Sequence, residues 1–307
     1  MTSHVSSGFG RWLARATPYV WLLAFFALPF VIIVRLSFSQ SVVGQPPYAP
    51  TFDITEGAAR WIESIRQLSL ENYAILFSDA LYLESYLSSL RIAFVSTGIA
   101  LLIAYPMALA MSRAPDRLKP ALILLAIAPF WTSFLIRVYA WIAILRDEGF
   151  LNSALMSLGV INEPLRLFST ETAVVIGIVY SYLPFMVLPI FNAIDRQDRS
   201  LIEAARDLGA SRAAAFWTIT FPLSVYGVLA GCLLVFIPAV GEFVIPDLLG
   251  GSDTLMIGRT MWNEFFANRD WPVASAAAIL LLCALLLPLV IFQRVQSRED
   301  QRAEKRL

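Results

Sequence analysis

Histidine, cysteine and lysine are scarce in this sequence of 307 residues, which contains one histidine, two cysteines and two lysines. The histidine, His4, lies in a polar stretch before the first apolar run, which argues against a histidine metal site or a histidine-dependent nucleophile. Cys232 and Cys283 both lie inside apolar runs, which favours small hydrophobic filler over a redox or metal role. An enzyme built on these residue types is therefore not indicated, and no metal site is expected.

Charged residues are also few, because they make up 15% of the chain, whereas about a quarter is usual for a soluble domain. Hydrophobic residues make up 58%, and the mean hydropathy is +0.68. Residues 92–111 and 273–292 contain no charge at all. Each stretch has about the 20 residues that a helix needs to cross ~30 Å of hydrocarbon. The composition therefore predicts an all-α integral membrane protein with several spans.

The apolar runs that meet this length criterion number six, at residues 19–38, 87–111, 120–145, 172–194, 223–246 and 272–292. The first is longer than the apolar part of a signal peptide and lacks a small-residue cleavage site, so we expect an uncleaved first span. The predicted organisation is a tail at 1–18, a six-helix membrane domain at 19–293 and a second tail at 294–307.

The basic residues predict the orientation. If both termini are cytoplasmic, the inner side holds 14 of the 23 basic residues and 8 acids, and the outer side holds 8 basic and 14 acidic residues. The outer loops are then 39–86, 146–171 and 247–271. Within the first, 45–50 should be extended or irregular and 71–77 could form a short helix.

The cytoplasmic loop at 195–222 has the local signals of a helix, a sharp turn and a second helix. Ser200 followed by Glu203 predicts a capping box at the start of the first helix. Gly209 is a natural left-handed C-cap, and Ser211 can cap the second helix. An apolar face made largely of small residues suits docking into a groove of a partner. It consists of Leu201, Ala204, Ala205 and Leu208.

This loop resembles the EAA signature of the permeases of binding-protein-dependent ABC importers. The resemblance rests on Glu203-Ala204-Ala205, Gly209, Ile219 and Pro222, and Phe221 departs from it because the family pattern has leucine there. It implies the type I importer permease fold, in which the loop is a coupling helix seated on a separate ATPase. The residues that it assigns to ATPase coupling are Glu203, Ala204, Ala205, Asp207, Leu208, Gly209 and Pro222. Glu203 has two open interpretations, a capping acid worth about 1 kcal/mol or a direct contact with the partner.

Further segments are similar to polyamine permeases. They are 129–132, 135–139, 241–246, 248–251 and 268–272. The likeness is greatest to the putrescine permease subunit and next to the spermidine and putrescine subunit. It implies a bacterial inner-membrane protein that pairs with a second permease subunit, an ATPase dimer and a periplasmic substrate-binding protein. ATP and Mg would bind to the ATPase, with no cofactor on this chain, and no nucleic acid is expected as a partner.

Arg137 and Glu242 lie within otherwise apolar spans, where a charge is costly unless it faces protein, water or a partner charge. Counting ~1.5 Å per residue from the cytoplasmic ends of their spans places both at a similar depth near the outer face. They could form an ion pair, or Arg137 could snorkel to the interface. Alternatively, Glu242 could attract a cationic substrate along a path lined by aromatic rings. The candidate pathway residues are Glu242, Trp131, Tyr139, Tyr180, Tyr182, Phe236 and Asp247.

Two other classes of transporter were compared with the importer permease. A self-contained ATP pump needs a phosphate-binding loop with lysine directly after glycine, and neither Lys119 nor Lys305 follows glycine. A secondary transporter fits the hydrophobicity but gives no reason for the capped cytoplasmic loop. An importer permease for a different small solute remains open as an alternative.

Overall fold

The computed structural model of the protein describes residues 8–51 and 63–304. His4 and Lys305 lie outside the described residues, as do parts of the predicted tails and of the loop 39–86. The helices are α1 (Gly8–Leu22), α2 (Leu28–Ser37), α3 (Glu71–Ser78), α4 (Ala80–Arg113), α5 (Lys119–Ile127), α6 (Phe134–Leu145), α7 (Phe150–Ser157), α8 (Glu171–Asp195), α9 (Arg199–Asp207), α10 (Arg212–Ala215), α11 (Phe221–Val240), α12 (Val244–Leu249), α13 (Ile257–Phe266) and α14 (Trp271–Glu304). Two strands, β1 (Gln40–Ser41) and β2 (Tyr48–Ala49), pair antiparallel.

Five helical segments are long and apolar enough to cross a membrane. They are Arg15–Ser37, Ala80–Arg113, Glu171–Asp195, Arg212–Val240 and Trp271–Ile291. A sixth span is present if the bent pair Lys119–Trp131 and Phe134–Ser157 counts as one. The predicted helical membrane architecture is thus confirmed, with two corrections to the spans.

The predicted span at 120–145 is not one straight helix. The two halves of the pair meet at an angle of 86°. Ala128–Trp131 tightens into a 3-10 turn, and the backbone of Thr132 is extended. Thr132 donates to the carbonyl of Pro129 from both its N–H, at 3.3 Å, and its hydroxyl, at 2.8 Å. These local bonds replace the regular hydrogen bonds of an α-helix. The chain therefore bends at a point where the apolar run alone predicts that the helix continues.

The predicted span at 223–246 ends early. Helix α11 stops at Val240, and the separate helix α12 begins at Val244. The intervening residues Gly241 and Glu242 break the hydrogen-bond ladder, and Glu242 supplies the new helix start with an acceptor. The predicted short helix at 71–77 is present as α3.

The chain divides into two compact units, Met1–Ala80 with Met261–Cys283 and Leu81–Thr260 with Ala284–Leu307. In the first unit, Asn72 is buried and its side-chain nitrogen donates to the carbonyls of Ser37, at 2.9 Å, and Ser39, at 2.7 Å. These bonds attach α3 to the end of α2. Trp271 stacks on Phe265 with centroids 5.0 Å apart.

In the second unit, α8 and α11 pack closely along their lengths. A Cβ on Gly227 would lie 2.5 Å from the Cβ of Ala193, and one on Gly231 would lie 2.8 Å from the sulfur of Met186. Small residues let two membrane helices approach until their backbones nearly touch. A buried apolar cluster surrounds this contact and includes Ala104, Ala108, Ile190 and Val235.

Candidate functional site

The loop between α8 and α11 begins with a capped helix. Asp198 precedes α9, and its Oδ1 accepts a hydrogen bond of 2.9 Å from the N–H of Ser200. This bond, with one from the Ser200 side chain, holds the pKa of the Asp198 carboxyl below its usual value. The predicted capping box of Ser200 and Glu203 is therefore wrong. Helix α9 starts at Arg199, because the carboxylate of Asp198 accepts the N–H of Ser200, which the capping box would assign to the side chain of Glu203.

The turn and the second helix of this loop form as predicted. Gly209 has a φ of +88°, in the left-handed region. Its N–H bonds the carbonyl of Arg206 at 2.9 Å, and the N–H of Ala210 bonds the carbonyl of Ala205 at 3.0 Å. These two bonds form a Schellman motif, which ends α9 sharply. Ser211 then accepts a bond of 3.1 Å from the N–H of Ala214 and starts α10.

The segment Phe216–Thr220 joins α10 to α11 as a π-helical turn. The predicted coupling residue Pro222 lies at the start of α11. Both ends of the loop are held to the membrane helices. Lys119 bridges Asp116, at 2.8 Å, and Asp195, at 2.7 Å. The side chain of Gln197 donates to the carbonyl of Thr220 at 3.0 Å.

The apolar face of α9 is left uncovered by the described residues. Leu208, the C-cap residue, is 90% exposed, and Leu201 and Ala204 are also exposed. Asp207 is the last residue of the helix. Glu203 lines a cavity of about 270 Å³ to which Arg113, Arg199 and Arg206 also contribute. Because Asp198 caps α9 and the turn at Gly209 ends it, Glu203 has no capping role and is an exposed acid on this helix.

A second cavity, of about 430 Å³, lies in the same unit where two membrane helices are interrupted. One interruption is the bend between α5 and α6, and the other is the break between α11 and α12. We call this space the aromatic cavity. Its lining consists of Phe130, Phe134, Arg137, Ser181, Tyr182, Phe185, Pro238, Gly241, Glu242, Phe243 and Val244. Its lining includes five aromatic residues, one acid and one base.

The carboxylate of Glu242 is held on both of its oxygens. Oε1 accepts from the N–H groups of Phe243, Val244 and Ile245 at 3.2, 3.0 and 3.4 Å. Oε2 accepts from the hydroxyl of Tyr182. The first N–H groups of a helix have no partner within it, so a carboxylate at this point stabilises the start of α12. Glu242 is 8% exposed and still lines the cavity.

The backbone at Gly258, in α13, lies close against the backbone of Gly241 and Glu242. A Cβ on Gly258 would lie 2.4 Å from the carbonyl oxygen of Gly241 and 2.5 Å from that of Glu242. Only glycine permits this packing of α13 against the break. The position of the carboxylate is thus determined by contacts on several sides.

Arg137 lies in the aromatic cavity without the expected ion pair. Its guanidinium carbon is 5.3 Å from the ring centroid of Phe130 and 5.7 Å from that of Phe134. Arg137 is 8% exposed, and its Nε and Nη1 make no hydrogen bond to any described residue. The predicted Arg137–Glu242 ion pair is therefore not formed in the described part of the chain. The depth comparison assumed a straight helix, and the 86° bend before α6 removes its basis.

The structure brings two of the predicted pathway residues together, Tyr182 and Glu242. The other five do not line the aromatic cavity. Trp131 is 74% exposed and Tyr139 is exposed, whereas Tyr180 packs edge-on against Trp141. Phe236 is half-buried in α11. Asp247 is exposed and lies 3.3 Å from Nε of Arg259.

Sequence reasoning missed four phenylalanines of the cavity, Phe130, Phe134, Phe185 and Phe243. Phe130 lies beside the predicted Trp131, within the run that resembles polyamine permeases. If the helix were straight, the sequence would not show which of these two rings faces the cavity. The bend decides which ring faces the cavity, and no signal in the sequence reports its angle.

Comparison with protein families and known proteins gives one consistent result. Residues 9–299 match the family described as the binding-protein-dependent transport system inner membrane component. The spermidine/putrescine transport system permease protein PotB of Salmonella typhimurium is 40% identical over 274 residues, 89% of each chain. PotB of Escherichia coli is 39% identical over 284 residues, 92% of this chain and 97% of that protein. The inner membrane ABC transporter permease protein YdcU of Escherichia coli is 30% identical over 243 residues, 75% of this chain and 76% of that protein.

Solved structures show the same fold at low identity. A chain of a bacterial ABC transporter for import of the acidic polysaccharide alginate has a TM-score of 0.65 and 17% identity, covering 94% of this chain and 96% of that one. A chain of the MetNI methionine ABC transporter, in an inward-facing conformation, has a TM-score of 0.52 and 16% identity, covering 70% and 94%. The expected type I importer permease fold is confirmed.

Proposed function

Because the chain belongs to the family of binding-protein-dependent transport system inner membrane components, it is a permease subunit of an ABC importer, and we propose that its substrates are polyamines. Putrescine is the first candidate from the sequence resemblance, and spermidine is the second. The names of the PotB relatives contain both amines, and their identity of about 40% over most of the chain supports this substrate class.

The aromatic cavity is the observation that carries the proposal. A primary ammonium group binds well to a carboxylate and to the faces of aromatic rings. The cavity offers one buried carboxylate, from Glu242, within a lining that includes Phe130, Phe134, Tyr182 and Phe185. The methylene chain between the amines of a polyamine is apolar and suits the same rings. A carboxylate accepts about four hydrogen bonds, and Glu242 already accepts four, so a substrate ammonium would replace one of the present donors, such as the hydroxyl of Tyr182.

The coupling loop supports the assignment of an ATP-driven mechanism. Helix α9 is capped at its start and ended by the glycine turn. Its apolar face is exposed, and the C-cap residue Leu208 is the most exposed large side chain of that face. Such a face suits a groove on a partner. We infer that this partner is a separate ATPase, which binds ATP and Mg, and that this chain has no nucleotide site of its own. Closure of the ATPase dimer would move the loop and switch the membrane helices between inward- and outward-facing states.

The proposed assembly contains a second permease subunit, the ATPase dimer and a periplasmic substrate-binding protein. Both termini of this chain would lie in the cytoplasm, with the tails at 1–18 and 294–307 outside the membrane domain. The excess of basic residues on that side supports this orientation.

The test of the substrate class uses the reconstituted complex with its binding protein in proteoliposomes. We expect binding protein loaded with putrescine or spermidine to stimulate ATP hydrolysis and to deliver the labelled amine to the lumen. A panel of solutes serves as the comparison, with amino acids, sugars and a monoamine of similar length. Stimulation by a solute without amine groups, with none by the polyamines, would contradict the proposal and favour an importer for a different solute.

A further inference from the structure

The aromatic cavity already contains a cation that belongs to the protein. Among the residues that line it, Arg137 is the one base and Glu242 the one carboxylic acid. The guanidinium of Arg137 lies over the rings of Phe130 and Phe134, which are the surfaces that a substrate ammonium would use. A substrate ammonium that approached the rings of Phe130 and Phe134 would therefore meet the guanidinium of Arg137.

The present position of Arg137 leaves part of its hydrogen-bonding capacity unused. Nε and Nη1 are buried and have no hydrogen-bond partner among the described residues. A buried donor without an acceptor destabilises the state in which it occurs. The two ring contacts hold the charge, but they leave these N–H groups unsatisfied. Displacement of Arg137 by another cation therefore breaks no hydrogen bond at these two nitrogens.

We propose that Arg137 is a tethered competitor that a polyamine displaces from the rings of Phe130 and Phe134, and whose return expels the amine. This inference rests on the proposed function. A group on a short flexible tether has an effective concentration in the ~mM range. Arg137 therefore keeps the affinity of the open cavity for free amine low and prevents the amine from remaining bound after delivery. Two like charges in one cavity also repel each other, which adds to the expulsion.

Equilibrium binding separates this role from a purely structural one. The assembled complex, without binding protein or nucleotide, is titrated with radiolabelled spermidine and putrescine. Arg137→Gln removes the charge at similar length, and we expect about tenfold tighter binding together with slower uptake in proteoliposomes. Arg137→Lys keeps a cation and should keep both values near those of the unmodified protein. Unchanged affinity in Arg137→Gln overturns the inference, even if uptake falls.

A matched control is available in the same unit. Arg146 also lies over a phenylalanine ring, 5.7 Å from that of Phe168, but outside the aromatic cavity. Arg146→Gln should leave the affinity for amines unchanged. An equal gain of affinity in both glutamine variants would overturn the inference, because it would reflect net charge alone.

The unmodified complex provides a test that needs no variant. Phenylglyoxal modifies accessible arginine, and peptide mass spectrometry reports the modified fraction of Arg137 alone. Saturating spermidine should raise that fraction, because displacement takes the guanidinium away from its rings. A fraction that spermidine leaves unchanged or lowers overturns the inference. If the unmodified complex takes up no polyamine, the proposed function fails instead.

Discussion

The carboxylate of Glu242 has an observed structural role and a proposed role in binding substrate. It accepts three backbone N–H groups at the start of α12 and the hydroxyl of Tyr182, while it also lines the aromatic cavity. The first role explains why an acid can lie in a membrane segment without a basic partner. The second depends on its negative charge. The two roles can be separated, because the single amide oxygen of glutamine can accept the backbone N–H groups without the charge, while its NH2 group can donate to the oxygen of Tyr182.

Glu242→Gln should therefore reduce polyamine uptake about tenfold or more while the complex still assembles. Hydrogen bonds to a charged group are worth about 1.5–3 kcal/mol, and the variant removes the charge that an ammonium would meet. Uptake is measured in proteoliposomes, and assembly is followed by co-purification of the ATPase. Glu171→Gln is the control, since Glu171 is an exposed acid paired with Arg91. Uptake at the unmodified rate in Glu242→Gln would exclude Glu242 from substrate binding.

Among the elements, the coupling loop depends most on one backbone conformation. Gly209 has a positive φ, and a Cβ added there would meet no atom within 4 Å. A substitution at this position therefore acts through backbone strain and leaves side-chain packing untouched. For a residue other than glycine, the left-handed conformation costs about 1–2 kcal/mol, and asparagine tolerates it better.

We expect Gly209→Ala to weaken the coupling of ATP hydrolysis to uptake, with Gly209→Asn closer to the unmodified protein. The readout is the ratio of amine transported to ATP hydrolysed in the reconstituted complex. Gly98→Ala is the matched control, because a Cβ at Gly98 also meets nothing within 4 Å and α4 is helical there. Equal coupling in the alanine and asparagine variants, at the unmodified level, would show that the turn does not transmit force.

Two interrupted helices determine which side chains line the aromatic cavity. The bend after Pro129 and the break at Gly241 each place side chains in the aromatic cavity that a straight helix would direct elsewhere. Irregular backbone at membrane depth is tolerated where it is buried in protein or lines a cavity. The bend and the break thus both contribute side chains to the lining of the candidate site, and the closely packed helices α8 and α11 contribute the rest.

The whole molecule shares its fold with importer chains of very different sequence. Identity to the alginate transporter chain is 17%, so the shared fold does not by itself identify the substrate. The membrane orientation belongs to this scale, because it follows from the total distribution of charge and from no single residue.

Reporter fusions test that orientation. Alkaline phosphatase joined to either terminus should be inactive, and a fluorescent protein in the same place should be bright, because both termini are expected in the cytoplasm. Phosphatase joined after residue 160, in the predicted outer loop 146–171, should be active and serves as the control. Phosphatase activity at one terminus only would require an odd number of spans.

The sequence by itself determined the features that depend on neighbouring residues and on total apolar length. Charge-free runs of about 20 residues indicated the membrane spans, and the order of Gly209 and Ser211 indicated the turn and the second cap. It failed at Ser200 because Asp198, two residues earlier, accepts the N–H of Ser200 that a capping box would assign to Glu203. Local rules do not rank two nearby caps.

Only the tertiary structure decided which charges and rings meet. An ion pair between Arg137 and Glu242 was one of the interpretations that the sequence left open, yet Arg137 lies over phenylalanine rings and Glu242 accepts backbone N–H groups and the hydroxyl of Tyr182. Phe130 enters the cavity, while the neighbouring Trp131 remains exposed. These outcomes depend on an 86° bend and on close helix contacts at glycine. Such geometry arises from packing between segments far apart in the chain, and a hydropathy pattern contains no information about it.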